Sequence, residues 1–316
     1  MSVLYFIIGL ALLVFGGDFL VKAAVGLSLK LKLSKMVVGL TVVSFATSLP
    51  ELIVSLKAAL NGFSTIALSN VIGSNIANIG LVLGLTVIIA PMAVDKDFYK
   101  LNWPVMMLFS LLLYAFLYTG DTLSAWEGVL LLVLIVIYIW RLVYTSRKES
   151  KKLDYTMDVD DSLAQTTWPK ILLLLLVGGI GLWAGSELLV DSAVEIARNI
   201  GVSERVIGLS LIAIGTSVPE LAASIISAIK GEKAVSLGNL LGSNIFNIAS
   251  VLGVTVLIKP ITDFDPKFLS DDIFWMLAIS FIVMPLAFMP KRFKLERVEG
   301  SVLFVAYAVY LYVAFQ

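Results

Sequence analysis

A chain of 316 residues that is 59% hydrophobic and only 15% charged departs from soluble domains, which carry about 25% charged residues. Its mean hydropathy of +0.98 implies more apolar surface than a core of this size hides, so the bilayer is the expected solvent and disorder is excluded. Lys+Arg 23 against Asp+Glu 23 leaves no net charge and no basic footprint for nucleic acid, and zero Cys and zero His remove disulfides, thiol catalysis, thiolate and imidazole metal sites and the usual neutral-pH proton shuttle.

Any bound cation should therefore meet oxygen ligands only, which suits hard ions such as Na⁺, Mg²⁺ or Ca²⁺. Crossing about 30 Å of hydrocarbon takes about 20 helical residues. Cut on that ruler, the chain predicts ten spans, at 3–28, 36–60, 65–89, 102–119, 124–145, 170–197, 205–229, 234–258, 272–289 and 298–315. The first has no basic n-region and no small-residue cleavage site, and reads as a span rather than a signal peptide. Loops after odd spans hold 17 Lys/Arg and loops after even spans hold 5. The positive-inside rule then places the odd loops in the cytoplasm and both termini outside. Between spans five and six, a polar stretch with Asp154, Asp158, Asp160 and Asp161 reads as a solvated linker. An EF-hand there would need Gly and Glu where Leu163 and Pro169 stand.

The chain is written twice. Residues 39–91 align without a gap on 208–260 at a constant offset of 169, with 25 of 53 positions identical. The match extends weakly back through Gly16/Gly185 and Leu20/Leu189. Five spans separate equivalent elements, so the second copy must enter the membrane from the opposite side. Inverted repeats with interrupted helices are the architecture of many secondary transporters. The expected fold is therefore an all-α polytopic membrane protein: a first five-helix repeat over 1–145, a cytoplasmic linker over 146–169 and a second five-helix repeat over 170–316. An old duplication kept only for packing is the bland alternative.

Two pairs of segments carry the chemistry. The first is Thr47-Ser48-Leu49-Pro50-Glu51 and Thr216-Ser217-Val218-Pro219-Glu220, deep in apolar spans. A carboxylate there costs about 2.5–3.5 kcal/mol on insertion scales and usually faces a partner or a water-filled cavity. Each proline cannot donate to the carbonyl four residues back and clashes with it, so the helix breaks just ahead of its glutamate and frees oxygens that suit a hard cation. Ser48-x-x-Glu51 and Ser217-x-x-Glu220 also match an N-terminal capping box, but Gln would cap as well without a charge at membrane depth.

The second pair is Gly73-Ser74-Asn75-Ile76-Ala77-Asn78 and Gly242-Ser243-Asn244-Ile245-Phe246-Asn247. Ser74 and Asn78 stand at i and i+4, as do Ser243 and Asn247, so on a helix their oxygens share a face. Small and amide residues are also ordinary glue between membrane helices; Asn75 and Asn244 are read that way. Two ionised glutamates balance one Ca²⁺ or two Na⁺, which predicts competition between the ions, while Mg²⁺ sheds its water too reluctantly for such a cage. Asp18 with Lys22 reads as an i,i+4 ion pair. Glu187, Asp191 and Glu195 read as a solvated face or as a cation-attracting run.

On these residues the chain resembles the cation/calcium exchanger superfamily, and more closely its Na⁺/Ca²⁺ exchanger branch. G-T-S-x-P-E and G-S-N-x-x-N match that family's two alpha repeats, and the likeness covers most of the chain. The resemblance implies ten helices, with spans two, three, seven and eight forming an ion-binding core and spans one and six sliding across it. By motif position, Glu51 and Glu220 resemble the Ca²⁺-binding carboxylates, with backbone oxygens of Thr47 and Thr216 beside them. Ser48, Ser217, Ser74 and Ser243 match positions that line Na⁺ sites, as do the carbonyls of Ser44 and Ala213, while Asn78 and Asn247 flank the centre. Relatives that use K⁺ have Asp where Asn247 stands here, and the G-N-x-x-E motif of the cation/proton branch is absent.

These readings predict a secondary antiporter that exchanges Na⁺ for Ca²⁺ by alternating access in the cell (inner or plasma) membrane. It is expected to be no enzyme, to hold no resident cofactor, to bind no nucleic acid and to work as a monomer in the bilayer. A Ca²⁺/H⁺ exchanger using the same glutamates is the alternative, since buried carboxyls can carry protons.

Overall fold

In the computed structural model, the residues described are 2–120, 122–150, 166–200, 215–262 and 268–314. The apolar runs fold as helices because hydrocarbon offers no partner to a backbone N–H or C=O, so each segment must pair its own. In chain order these are α1 Ser2–Leu31, α2 Lys35–Thr47, α3 Leu49–Leu60, α4 Ile66–Ile89, α5 Phe98–Thr119, α6 Ala125–Lys148, α7 Trp168–Asn199, α8 Val218–Ile229, α9 Lys233–Ile258, α10 Phe268–Phe288 and α11 Arg297–Ala314. Among the described residues, eight helices are long and apolar enough to cross a membrane, or nine if α2 and α3, bent by 43° at their break, count as one span. The chain is an all-α polytopic membrane protein. Of the span expected at 205–229, residues 205–214 lie outside the described residues, as does linker residues 151–165, and α8 is the part that is described.

The chain gathers into two compact units that cut across the sequence repeats: residues 1–47 with 138–239, and residues 48–137 with 240–316. Each contains segments of both repeats.

In the first unit, α1 and α7 pack antiparallel along a glycine seam. A Cβ added at Gly9 would lie 2.9 Å from the Gly185 carbonyl, and one added at Gly178 would lie 2.9 Å from the Gly16 carbonyl. Apolar helices gain little hydrophobic drive from meeting in lipid, so small residues that let backbones touch decide where they pack. These four glycines are two repeat pairs, 9 with 178 and 16 with 185. Asp18 on α1 pairs with Lys22 at 2.9 Å, the ion pair expected from the sequence, and also with Lys230 at the end of α8. Lys35 at the start of α2 pairs with Glu232 at 2.7 Å. Glu187, Asp191 and Glu195 are exposed on α7.

In the second unit, α4 and the part of α9 beyond residue 239 each contain a π turn, Asn78–Leu83 and Asn247–Leu252. Short strands pair in exchanged fashion. β1 Met92–Ala93 runs antiparallel to β4 Lys294–Leu295, and β2 Thr122–Leu123 runs antiparallel to β3 Ile261–Thr262. Glycines repeat the exchange: a Cβ on Gly128 would meet the Gly253 carbonyl at 2.7 Å, and one on Gly300 would meet the Gly84 carbonyl at 2.7 Å. The first turns of α6 and α11 are capped alike, with Glu127 accepting from the Ser124 amide and Glu299 from the Glu296 amide, both at 2.7 Å.

Candidate functional site

In the first unit, the last turn of α2, the start of α8 and the start of α9 bring polar groups together. A π turn over Gly39–Val43 precedes Ser44, a feature that often marks a functional position in a membrane or soluble helix. The Ser44 hydroxyl lies 2.8 Å from the Gly39 carbonyl and 2.9 Å from the Asn239 carbonyl, so its side chain is spent on backbone. The Thr47 hydroxyl faces the Ser44 carbonyl at 3.3 Å and donates to Asn239 Oδ1 at 3.2 Å.

Glu220 sits in the first turn of α8, after Pro219, and is fully buried. Its carboxylate is approached by the Thr47 side chain and by its own amide; beyond these, neither oxygen has a hydrogen-bond partner among the described residues. A buried carboxylate with so few donors is costly unless something charged completes its environment. Thr216 is half-buried and Ser217 buried in the same unit, and Ala213 lies outside the described residues.

In the second unit, α3 begins after Ser48 and holds Pro50 and fully buried Glu51 in its first turn. Asn70 Nδ2 donates to the Glu51 backbone carbonyl at 3.2 Å and to Ser55 Oγ at 2.9 Å. Helix α3 packs on the π turn of α9, which begins at Asn247. Ser74, Asn78, Ser243 and Asn247 are all buried in this unit, and both polar atoms of Asn78 and the oxygen of Asn247 have no hydrogen-bond partner among the described residues. Asn247 Nδ2 donates to Asn75 Oδ1 at 3.2 Å, and Asn75 Nδ2 donates to the Asn244 carbonyl at 3.2 Å. Asn244 Nδ2 lies 3.8 Å from Met106 Sδ, and its Oδ1 has no hydrogen-bond partner among the described residues.

Capping does not account for the two serines. Ser48 (φ −84°, ψ 2°) and Ser217 (φ −91°, ψ 3°) precede their helices without a side-chain cap bond, away from the extended backbone that an N-cap side chain needs. Both hydroxyl oxygens are buried and without a hydrogen-bond partner among the described residues. Each repeat thus supplies a buried carboxylate preceded by a serine hydroxyl that has no hydrogen-bond partner among the described residues. The donor set is entirely oxygen and amide, as a hard cation prefers.

Sequence reasoning passed over Asn70, Asn239, Ser55 and Ser224. The signal was in the alignment: Asn70/Asn239 and Ser55/Ser224 are identical pairs at the 169-residue offset.

The family described as sodium/calcium exchanger protein matches this chain over residues 1–144 and 170–316. The sodium/calcium exchanger MaX1 of Methanosarcina acetivorans is 30% identical over 346 residues, covering 99% of this chain and 98% of that relative. The inner membrane protein YrbG of Escherichia coli is 38% identical over 280 residues, covering 87% of this chain and 85% of that protein. A solved sodium/calcium exchanger from Methanococcus jannaschii superposes with TM-score 0.80 at 32% identity, covering 98% of this chain and 97% of that one. With its repeat motifs, its all-helical fold and this full-length match, the chain belongs to the sodium/calcium exchanger protein family.

Proposed function

We propose that the protein is a secondary antiporter in which Na⁺ moving down its gradient drives Ca²⁺ across the cell membrane by alternating access. The observation that carries this reading is the fully buried, sparsely partnered carboxylate of Glu220 at the start of a helix, with Glu51 at the repeat-equivalent position. Glu51 and Glu220 serve as Ca²⁺ ligands, with the carbonyls of Thr47 and Thr216 beside them. Ser48, Ser217, Ser74 and Ser243, with the carbonyls of Ser44 and Ala213, receive Na⁺, and Asn78 and Asn247 flank the pathway. Two negative charges balance one Ca²⁺ or two Na⁺, so the ions compete and exchange follows. A neutral amide at Asn247 supports exchange without K⁺. The ions are substrates, the bilayer is the working solvent and the protein works as a monomer, with both termini outside.

Radiolabelled Ca²⁺ uptake into proteoliposomes tests the reading, with an outward gradient of Na⁺, of K⁺ or of H⁺ imposed one at a time. Uptake driven by Na⁺ alone is the expected result. Uptake driven by a pH gradient with Na⁺ absent would replace Na⁺ by protons carried on the same glutamates.

A further inference from the structure

We propose that Asn239 is a positioning residue for cation binding at Glu220, acting through the Thr47 hydroxyl, and that Asn70 is its counterpart at Glu51; this rests on the cation-binding role proposed above for the two glutamates. Asn239 is fully buried and uses both ends of its amide. Oδ1 accepts from the Thr47 hydroxyl at 3.2 Å, and Nδ2 donates to Ser224 Oγ at 3.0 Å. Its backbone carbonyl also accepts from Ser44 at 2.9 Å. Ser224 is held in turn, because its own carbonyl accepts the Ser236 hydroxyl at 2.9 Å. The last turn of α2 is thereby tied to α8 and α9 at Thr47, whose side chain approaches Glu220.

The counterpart supports the same assignment. Asn70 Nδ2 contacts Ser55 Oγ at 2.9 Å and the backbone carbonyl of Glu51 itself at 3.2 Å. A carbonyl only accepts, so it settles which end of the Asn70 amide is the nitrogen. Asn239 turns its nitrogen to the equivalent serine, which leaves its oxygen for Thr47. Asparagine between membrane helices is often simple glue. Here, however, the amides in both repeats are spent beside a buried glutamate: one grips the glutamate's own backbone, the other the threonine facing it. The Thr47 hydroxyl also faces the Ser44 carbonyl at 3.3 Å, a longer contact than the one to Asn239.

The experiment is a double-mutant cycle in the full chain reconstituted in proteoliposomes. It uses Asn239→Leu, which keeps the branched shape and removes both polar ends, and Thr47→Val, which removes the hydroxyl and keeps the carbonyl. The readouts are the Ca²⁺ KM, the ratio of Ca²⁺ to Sr²⁺ KM values and the unfolding midpoint in detergent. Each single variant is expected to raise the Ca²⁺ KM by about tenfold, the scale of one buried hydrogen bond, to shift the Ca²⁺/Sr²⁺ ratio, and to be non-additive with the other. A lowered midpoint with unchanged KM and ion ratio, or strictly additive KM effects, would overturn the positioning role. If Asn239→Leu does not fold, Asn239→Ser together with Asn70→Ser decides by the same KM and ratio criteria. Glu220→Gln run in parallel separates the two levels: retained Ca²⁺ transport there sinks the proposed function, whereas lost transport with additive Asn239 and Thr47 effects sinks only this inference.

Discussion

Asn75 donates its side-chain amide to the backbone carbonyl of Asn244 at 3.2 Å, and the two residues stand 169 positions apart, the interval of the sequence repeat. A residue can bond its own repeat equivalent only near an axis that relates the copies. The surrounding contacts are exchanged in the same way: Asn75 Nδ2 lies 3.8 Å from Met276 Sδ, and Asn244 Nδ2 lies 3.8 Å from Met106 Sδ. Asn75 thus has defined partners at both ends of its amide, on Asn244 and Asn247.

Asn75→Ala therefore removes a donor to Asn244 and an acceptor from Asn247 at once, leaving buried polar groups unpaired. A loss of about 1–3 kcal/mol is expected, read as a lowered unfolding midpoint in detergent. An unchanged midpoint would mean that these bonds contribute nothing to stability.

Glu51→Gln and Glu220→Gln keep shape and remove charge. Each should leave a folded protein and abolish Ca²⁺ uptake driven by Na⁺. Wild-type uptake by either folded variant would show that its glutamate does not carry the ion.

Ser48→Ala and Ser217→Ala separate capping from ion binding. Loss of a true N-cap costs about 1 kcal/mol, but neither hydroxyl caps its helix. Stability should hold within about 0.5 kcal/mol, while half-maximal Na⁺ activation of Ca²⁺ flux moves to higher Na⁺. A stability loss with unchanged Na⁺ dependence would restore the capping reading.

Gly178→Ala places a Cβ 2.8 Å from the Leu20 amide nitrogen, backbone that cannot swing aside. Overpacking of this kind costs about 1–3 kcal/mol. Gly179→Ala meets nothing within 4 Å and is the control, expected to unfold at the wild-type midpoint. Thermal unfolding of the two variants side by side checks whether backbone contact between α1 and α7 is what holds the seam.

Sequence alone determined the solvent, the repeat and the position of each charge. Hydrocarbon accepts only self-paired backbone, so apolar length predicts helices. A glutamate such as Glu220 in such a run has few places to go, so its burial was legible before any coordinate. The seam glycines Gly9 and Gly178 share the 169-residue offset, but only packing showed that each meets the other pair's partner. Tertiary structure alone decided what the polar side chains do with their hydrogens. Ser48-x-x-Glu51 spells a capping box in the chain, yet capping depends on the backbone angles of Ser48, which the break ahead of Pro50 sets. Asn239 and Thr47 lie 192 residues apart, and a hydrogen bond between them is a property of helix packing that no local pattern encodes.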